Sequence, residues 1–448
     1  MPPGVRGVPN RLQISGRRYL MRRLERAALF GDPSCARPVR APLVAVACGA
    51  GVAAVALAAA VALAWMRPAA DIGDAAIVMV RGTGALYVRI DDTVHPVANL
   101  TSARLIIGRA DTPKVLDEAA LHAVGRGPAL GIPGLPAAIG EPLAPQSSSW
   151  TVCDGDRTTV FAGPGPATAP EPDPVLVESA SGTRYLIHEG RRAAVDTTDP
   201  AIRRALGVDG PAPRRVSPAL LALLPEGPPL AVPPIPGAGN PGPGALRGHA
   251  VGEVVRVARA AGAGNAGVEY YVVLAGGVQR IARTAADALR FAFTGAGSEI
   301  AAIDPGLLDG VPSVGVLPLS GFPDRPAGAG AGPLCVRWVD GRSEILRSRT
   351  RPTSPPATAL AQADGPGPAV DAVSLPAGRS VYVRAGGAGW VIDDSGLRLG
   401  LADEAAAAAL GLSGRPAAGP WPMLSLLPSG PSLSREAALL ARDGAYPR

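Results

Sequence analysis

From Leu43 to Met66 the chain reads LVAVACGAGVAAVALAAAVALAWM, a run without one charged side chain. At about 1.5 Å per residue a helix there reaches roughly 36 Å, enough to cross a hydrocarbon core of about 30 Å. Trp65 lies at the far end, where an amphipathic ring suits the membrane interface. A buried core helix is rarely so long and uncharged, and a signal peptide starts nearer the first residue and ends in small residues. The pattern predicts one transmembrane helix. Ahead of it, Ser15 is placed to cap a second helix through GRRYLMRRLERAALF. Leu20, Leu24, Ala27 and Ala28 form one stripe of that helix, with Arg17, Arg18, Arg22, Arg23 and Arg26 around the rest.

Beyond the span, a pattern of about 45 residues recurs four times. The copies open with Leu86-Tyr87-Val88, Tyr185-Leu186-Ile187, Tyr270-Tyr271-Val272 and Trp390-Val391-Ile392. Each turns tightly, at Asp91-Asp92, Glu189-Gly190, Gly276-Gly277 or Ser395-Gly396, and gives a second strand and a short Ala/Leu helix. Each returns through a Pro-rich apolar run: ALGIPGLP, LALLPEG, VGVLPLSG and MLSLLPSG. Tyr87, Tyr185, Tyr271 and Trp390 are 98, 86 and 119 residues apart by subtraction, too uneven for a regular solenoid. Between the copies lie other strands: TVCD, VLVES, VGEVVRVA, LCVRWVD and SVYVR.

The expected fold is α+β. Residues 1–42 form a basic tail with a helix, 43–66 the span, and 67–448 an elongated outer body. In that body, repeats at about 84–140, 183–230, 268–322 and 388–430 surround a central β-rich domain drawn from about 145–180, 249–267, 333–347 and 372–387. Stretches 225–248 and 348–370 read as Pro/Gly-rich connectors.

Charge orients this layout. Arg6, Arg11, Arg17, Arg18, Arg22, Arg23, Arg26, Arg37 and Arg40 precede the span, whereas Arg67 and Arg81 are the only cations close behind it. The positive-inside rule then puts the N-terminus in the cytoplasm and residues 67–448 outside. The net charge of +6 does not indicate nucleic acid, because the Arg excess sits in the first forty residues without interleaved aromatics. With 57 Gly and 49 Pro in 448 residues, turns and short strands should dominate. Cys35 lies in the tail and Cys48 in the span, leaving Cys153 and Cys335 as a pair in an oxidising compartment, most simply a disulfide.

Candidate chemistry is sparse. Gly262-Ala263-Gly264-Asn265-Ala266-Gly267 matches G-x-G-x-x-G, but strands flank it where a dinucleotide site needs a following helix. No G-x-x-x-x-G-K-[ST] loop occurs, the Gly-rich run near 328–332 has neither Lys nor Ser/Thr, and no G-x-S-x-G elbow is present. His95, His122, His188 and His249 are scattered, and the paired acids Asp91-Asp92, Asp393-Asp394 and Asp403-Glu404 fall at turns or a helix start. No catalytic, cofactor or metal residues are assigned. The basic helix, through Arg17, Arg18, Tyr19, Leu20, Arg22, Arg23 and Leu24, is expected to dock a partner or to lie on anionic lipid.

QISGRRYLMRRLE at 13–25 before a lone span, LYVRIDDTVHPVANLTSARLI at 86–106, GIPGLPAAI at 131–139, SWTVCD at 149–154 and VQRI at 278–281 occur in one order. In these the chain resembles the EccB family of actinobacterial type VII (ESX) secretion systems, over nearly its whole length. The resemblance implies a multimeric membrane complex with other type VII subunits, among them an FtsK/SpoIIIE-type motor ATPase. It implies a periplasmic body of a central domain flanked by four repeats with pseudo-twofold character, similar to a phage-lysin cell-wall-binding fold. Peptidoglycan contact follows as a weaker expectation. Cys153 and Cys335 match the family's disulfide positions. Members are often labelled ATPases, a label for which this sequence has no Walker-type loop.

Overall fold

The computed structural model describes residues 11–31, 41–66 and 72–442, apart from 123, 146–148, 172–173, 211, 259–266, 294–297, 329–331, 340, 349–355 and 413. Contacts divide the chain into two units, Met1–Asp71 and Ile72–Arg448.

The first unit holds two helices, Arg11–Phe30 and Ala41–Met66. Within the second of these, Val44–Leu63 has a mean hydropathy of 2.4, and it is the one helix among the described residues long and apolar enough to span a membrane. The first helix begins five residues earlier than the Ser15 cap requires, at Arg11 rather than Gly16. Ser15 lies inside it, with its hydroxyl donating to the Leu12 carbonyl at 3.0 Å. Arg11, Leu12, Gln13 and Ile14 are tolerated in a helix, so no boundary forms at the serine.

The second unit is built from sheets. Three antiparallel strands, Val175–Glu178, Arg184–His188 and Arg191–Ala194, lead into the helix Pro200–Leu206, and Arg214–Arg215 returns parallel beside the first of them. The same order, third–second–first–return, recurs three more times. In chain order the sheet just described is the second; the first runs from Ile77–Val80 through Lys114–Leu116, the third from Val254–Ala258 through Ala301–Ala302, and the fourth from Arg379–Ala385 through Ala417–Ala418. Local chemistry explains the elements. Glu189 and Gly190 both take positive φ, 47° and 72°, as a primed two-residue hairpin requires. Asn99, Asp199 and Asp403 cap helices by accepting from Ser102, Ala201 and Ala406 amides at 2.8, 2.8 and 2.7 Å.

A fifth sheet has the order Thr168–Pro170, Arg342–Ser348, Leu334–Val339, Trp150–Asp154, Thr158–Ala162, Ala372–Ser374 and Thr358–Ala359. The strands Val175–Glu178, Val254–Ala258 and Arg379–Ala385, which the sequence grouped with a central domain, pair instead inside the surrounding sheets. Their partners in the return, Arg214–Arg215, Ala301–Ala302 and Ala417–Ala418, are two residues long and carry no periodicity to read.

Alternation then stacks the layers. Val175, Val177 and Ile187 pack with Trp150, Val152 and Val336 of the fifth sheet, while their neighbours Leu176 and Leu186 pack with Val254, Val272 and Leu289 of the third. Val381, Val383 and Ile392 join the same central cluster, while Val391 and Leu399 meet Ile77, Val88 and Leu105 of the first. Thus the second and fourth sheets each bury both faces. The C-terminal segment closes this arrangement: Arg435 Nε donates to the Ile106 carbonyl at 3.0 Å, and Ala441–Arg442 pairs with Ala129–Leu130.

At the centre, Cys153 and Cys335 stand directly opposite in register and form a disulfide across 182 residues of sequence, a span that holds the whole second and third sheets. Both are buried, beside Phe161 and Leu346. Next to Cys153, the Asp154 carboxylate accepts from the Ser217 amide and the Thr158 hydroxyl. Burial pushes this carboxyl above its ordinary 3.8, against the opposing pull of Ser217, Arg214 and Thr158. Burial likewise holds the Arg214 guanidinium below its ordinary value.

Two outcomes follow. Replacing both cysteines, Cys153→Ala with Cys335→Ala, should cost about 2–5 kcal/mol, read as a lower unfolding midpoint of the full-length protein; an unchanged midpoint would mean the hydrogen-bonded strands suffice. A carboxyl whose pKa is raised on folding binds protons more tightly in the folded state, so its contribution grows as pH falls from above the raised value toward 3.8. The midpoint difference between the native chain and Asp154→Asn should therefore move in favour of the native chain on acidification, and a slope of the opposite sign would refute the burial penalty.

Candidate functional site

The residues expected to dock a partner lie on the helix Arg11–Phe30. At about 100° per residue, Leu20 and Leu24 share one side with Ala27 and Ala28, and Arg18, Arg22 and Arg26 share another. Tyr19, Leu20, Met21 and Leu24 are all more than half exposed, so the apolar side has no cover within its own unit. Arg17, Arg18, Arg22 and Arg23 surround it, with Glu25 the single acid of the helix. The helix thus presents a strip of apolar area rimmed by guanidinium groups. Such a surface gains by meeting another apolar surface that carries negative charge.

In the second unit several of the candidate chemical residues are taken up in structure. His95 Nδ1 lies 3.0 Å from the Pro128 carbonyl, and His249 Nδ1 lies 2.8 Å from Glu253 Oε1. Asp393 accepts from Ser395 and Leu397 at 2.7 and 2.8 Å, and Asp394 accepts from the Gly378 amide at 2.6 Å. Among the described residues no three His, Cys, Asp or Glu side chains gather where a metal ion could be held. Residues 262–266 of the G-x-G-x-x-G match and 329–331 of the other Gly-rich run lie outside the described residues. The strands that flank the first, Val254–Ala258 and Val268–Leu274, pair antiparallel, and no helix N-terminus follows to hold a pyrophosphate. The chain has a single lysine, Lys114, which reaches the Ile72 carbonyl at 3.4 Å.

Two structural devices escaped the sequence. Arg192 stacks 5.6 Å from the Tyr185 ring and donates to the Leu221 carbonyl at 3.0 Å. At the matching place in the fourth sheet, Arg398 lies 5.1 and 5.0 Å from the rings of Trp390 and Trp421 and donates to the Leu424 carbonyl at 3.0 Å. Each joins its third strand to the returning segment, combining cation–π contact with a charge-assisted hydrogen bond. Burial holds the Arg398 guanidinium below its ordinary value. Each arginine follows a hairpin turn whose partner residue is aromatic-led, and that is the only sequence signal.

Comparison with known proteins covers tail, span and body together. The family model described as "Type VII secretion system ESX-1, transport TM domain B" matches residues 6–447. The chain is 32% identical to the "ESX-5 secretion system ATPase EccB5" of Mycobacterium tuberculosis, covering 98% of this chain and 94% of that protein. It is 35% identical to the "ESX-3 secretion system ATPase EccB3" of Mycolicibacterium smegmatis, covering 99% and 93%. Among solved structures it is similar to a chain of an intact ESX-5 inner membrane complex, with a TM-score of 0.70 at 30% identity over 99% of this chain and 97% of that one. A chain of the EccB3 dimer from the ESX-3 core complex gives 0.69 at 30% identity, over 82% and 100%. The chain belongs to the EccB family of ESX, or type VII, secretion systems.

Proposed function

We propose that this chain is a non-enzymatic structural and assembly subunit of an ESX inner-membrane complex that exports proteins. The observation that carries the reading is the use of Lys114. A P-loop needs its lysine on the phosphates, and the only lysine here sits on a strand against the Ile72 carbonyl. The arginine asymmetry about the span and the disulfide of the body support a cytoplasmic N-terminus and a periplasmic body. The four sheets of common strand order support a body of four related units in two pairs, first with fourth and second with third, around the fifth sheet.

In this reading the basic helix docks other membrane subunits, an FtsK/SpoIIIE-type ATPase among them, through Tyr19, Leu20 and Leu24 and the arginines 17, 18, 22 and 23. The relatives solved as a dimer and within an intact complex support a multimeric state. The name ATPase carried by the relatives supports a second reading, hydrolysis of ATP by the subunit itself.

The two readings separate on purified full-length protein. ATP turnover should not exceed that of the micelle blank; robust turnover lost on a point substitution would establish the hydrolase and end the scaffold reading. Leu20→Glu with Leu24→Glu should lower recovery of partner subunits at least tenfold while the chain stays in the membrane fraction. Full recovery would move the docking function away from this helix.

A further inference from the structure

Where the second sheet, the fourth sheet and the fifth-sheet hairpin meet, a cleft of about 630 Å³ opens. Its floor is apolar, with Leu223 and Met423 buried, and its walls carry two indoles, Trp338 and Trp421. Trp421 is 43% exposed, yet its ring is held: Trp390 lies 5.2 Å away and Arg398 5.0 Å, anchored in turn to the Leu424 carbonyl. The cleft is also braced by backbone. A Cβ on Gly190 would lie 2.5 Å from the Ser343 carbonyl oxygen, so the second-sheet turn presses directly on the fifth-sheet hairpin. An aromatic wall fixed in advance binds at little cost in side-chain entropy.

The charges at the mouth are not balanced. Arg191 and Arg342 are exposed, and neither has a side-chain partner among the described residues. Glu189, the acid beside them, lies 3.6 Å from His188 Nε2. A second cleft of about 480 Å³ adjoins the first, shares Glu189 and Arg191 with it, and carries Phe322 and Asp324. Asp324 accepts from the Arg283 amide at 3.4 Å and keeps its charge, so the positive surplus lies in the first cleft, where two guanidinium groups stand against the one carboxylate of Glu189. Two clefts joined across one turn suit an extended chain better than a compact molecule. Indole-walled grooves take polyproline II segments because those are already extended and lose little entropy on docking.

We infer that this cleft is a docking site for an extended, proline-containing acidic peptide segment of a partner protein, its prolines against Trp338 and Trp421 and its carboxylates on Arg191 and Arg342. The site is independent of the assembly role and of the cytoplasmic helix. It lies where three sheets converge, so an occupant would tie the second and fourth sheets to the central hairpin.

Fluorescence anisotropy on full-length protein in nanodiscs tests this, with a labelled nonapeptide of three Glu-Pro-Pro repeats as the probe. Saturable binding is expected, at least tenfold tighter than for the Lys-Pro-Pro and Glu-Gly-Gly counterparts, and weakening as salt rises. Arg342→Glu, at the exposed first position of its strand, should weaken it at least tenfold with no change in the unfolding midpoint, and Trp421→Ala should do the same to the proline dependence. The inference is overturned by absence of saturable binding, by equal affinity for the lysine peptide, or by indifference to Arg342→Glu. Displacement of the probe by an acidic oligosaccharide that binds more tightly than any of the peptides would also overturn it, assigning the cleft to a glycan.

Discussion

The strand Trp150–Asp154 is the constraint on which the second unit depends, because all five of its residues are buried and both of its faces are used. Trp150 and Val152 face the large cluster shared with the second and fourth sheets. Cys153 faces the other way, into the disulfide with Cys335 and the contact with Phe161. A strand so placed cannot slip by one residue without sending two apolar side chains into the thiol layer and Cys153 away from its partner. The register of the fifth sheet, and with it the seating of the neighbouring sheets, rests on that pairing.

Around this strand the chain solves a problem set by small units. A three-stranded meander with one short helix buries too little area to stand alone, so each is stable only against a neighbour. The first and fourth sheets meet through Ile77, Leu105, Val391 and Leu399, and the second and third through Leu176, Ile202, Val254 and Leu289. The second and third lie inside the loop closed by the disulfide, whereas the first and fourth are joined by the C-terminal segment docking through Arg435 and Arg442. The two pairs are thus closed by different means, one covalent and one by hydrogen bonds and strand pairing.

Several buried charges fasten the fifth sheet and its neighbours. Asp154 ties the disulfide strand to the cap of the helix Pro218–Ala222, Arg214 donates to the Asp154 carbonyl, and Arg347 pairs with the buried side chain of Glu171. Removing one partner of such a set leaves an unpaired buried charge, which costs more than the pair contributes when intact. These groups act as fasteners at fixed places, since only one arrangement of the layers satisfies them all.

Much of this was legible in the order of residues. The uncharged run ending at Met66, the arginines before it, and the two cysteines beyond it each carry a local signal: length, charge sign and parity. The hairpins at Asp91-Asp92 and Glu189-Gly190 were legible because a tight turn restricts the residues that can occupy it. The Ser15 cap failed because capping chemistry permits a boundary without compelling one. Sheet membership was decided only in three dimensions. Val175–Glu178, Val254–Ala258 and Arg379–Ala385 each carry buried residues on both faces, and that pattern states how deeply a strand is buried without naming its neighbours. Their return partners of two residues, the stacking of Arg398 between Trp390 and Trp421, and the cleft beside it all join segments far apart in sequence. The sequence by itself determined the candidate membrane span and the local elements, which depend on residues close together along the chain. Tertiary structure alone decided which elements share a sheet and which side chains converge, because those depend on long-range packing that no local pattern encodes.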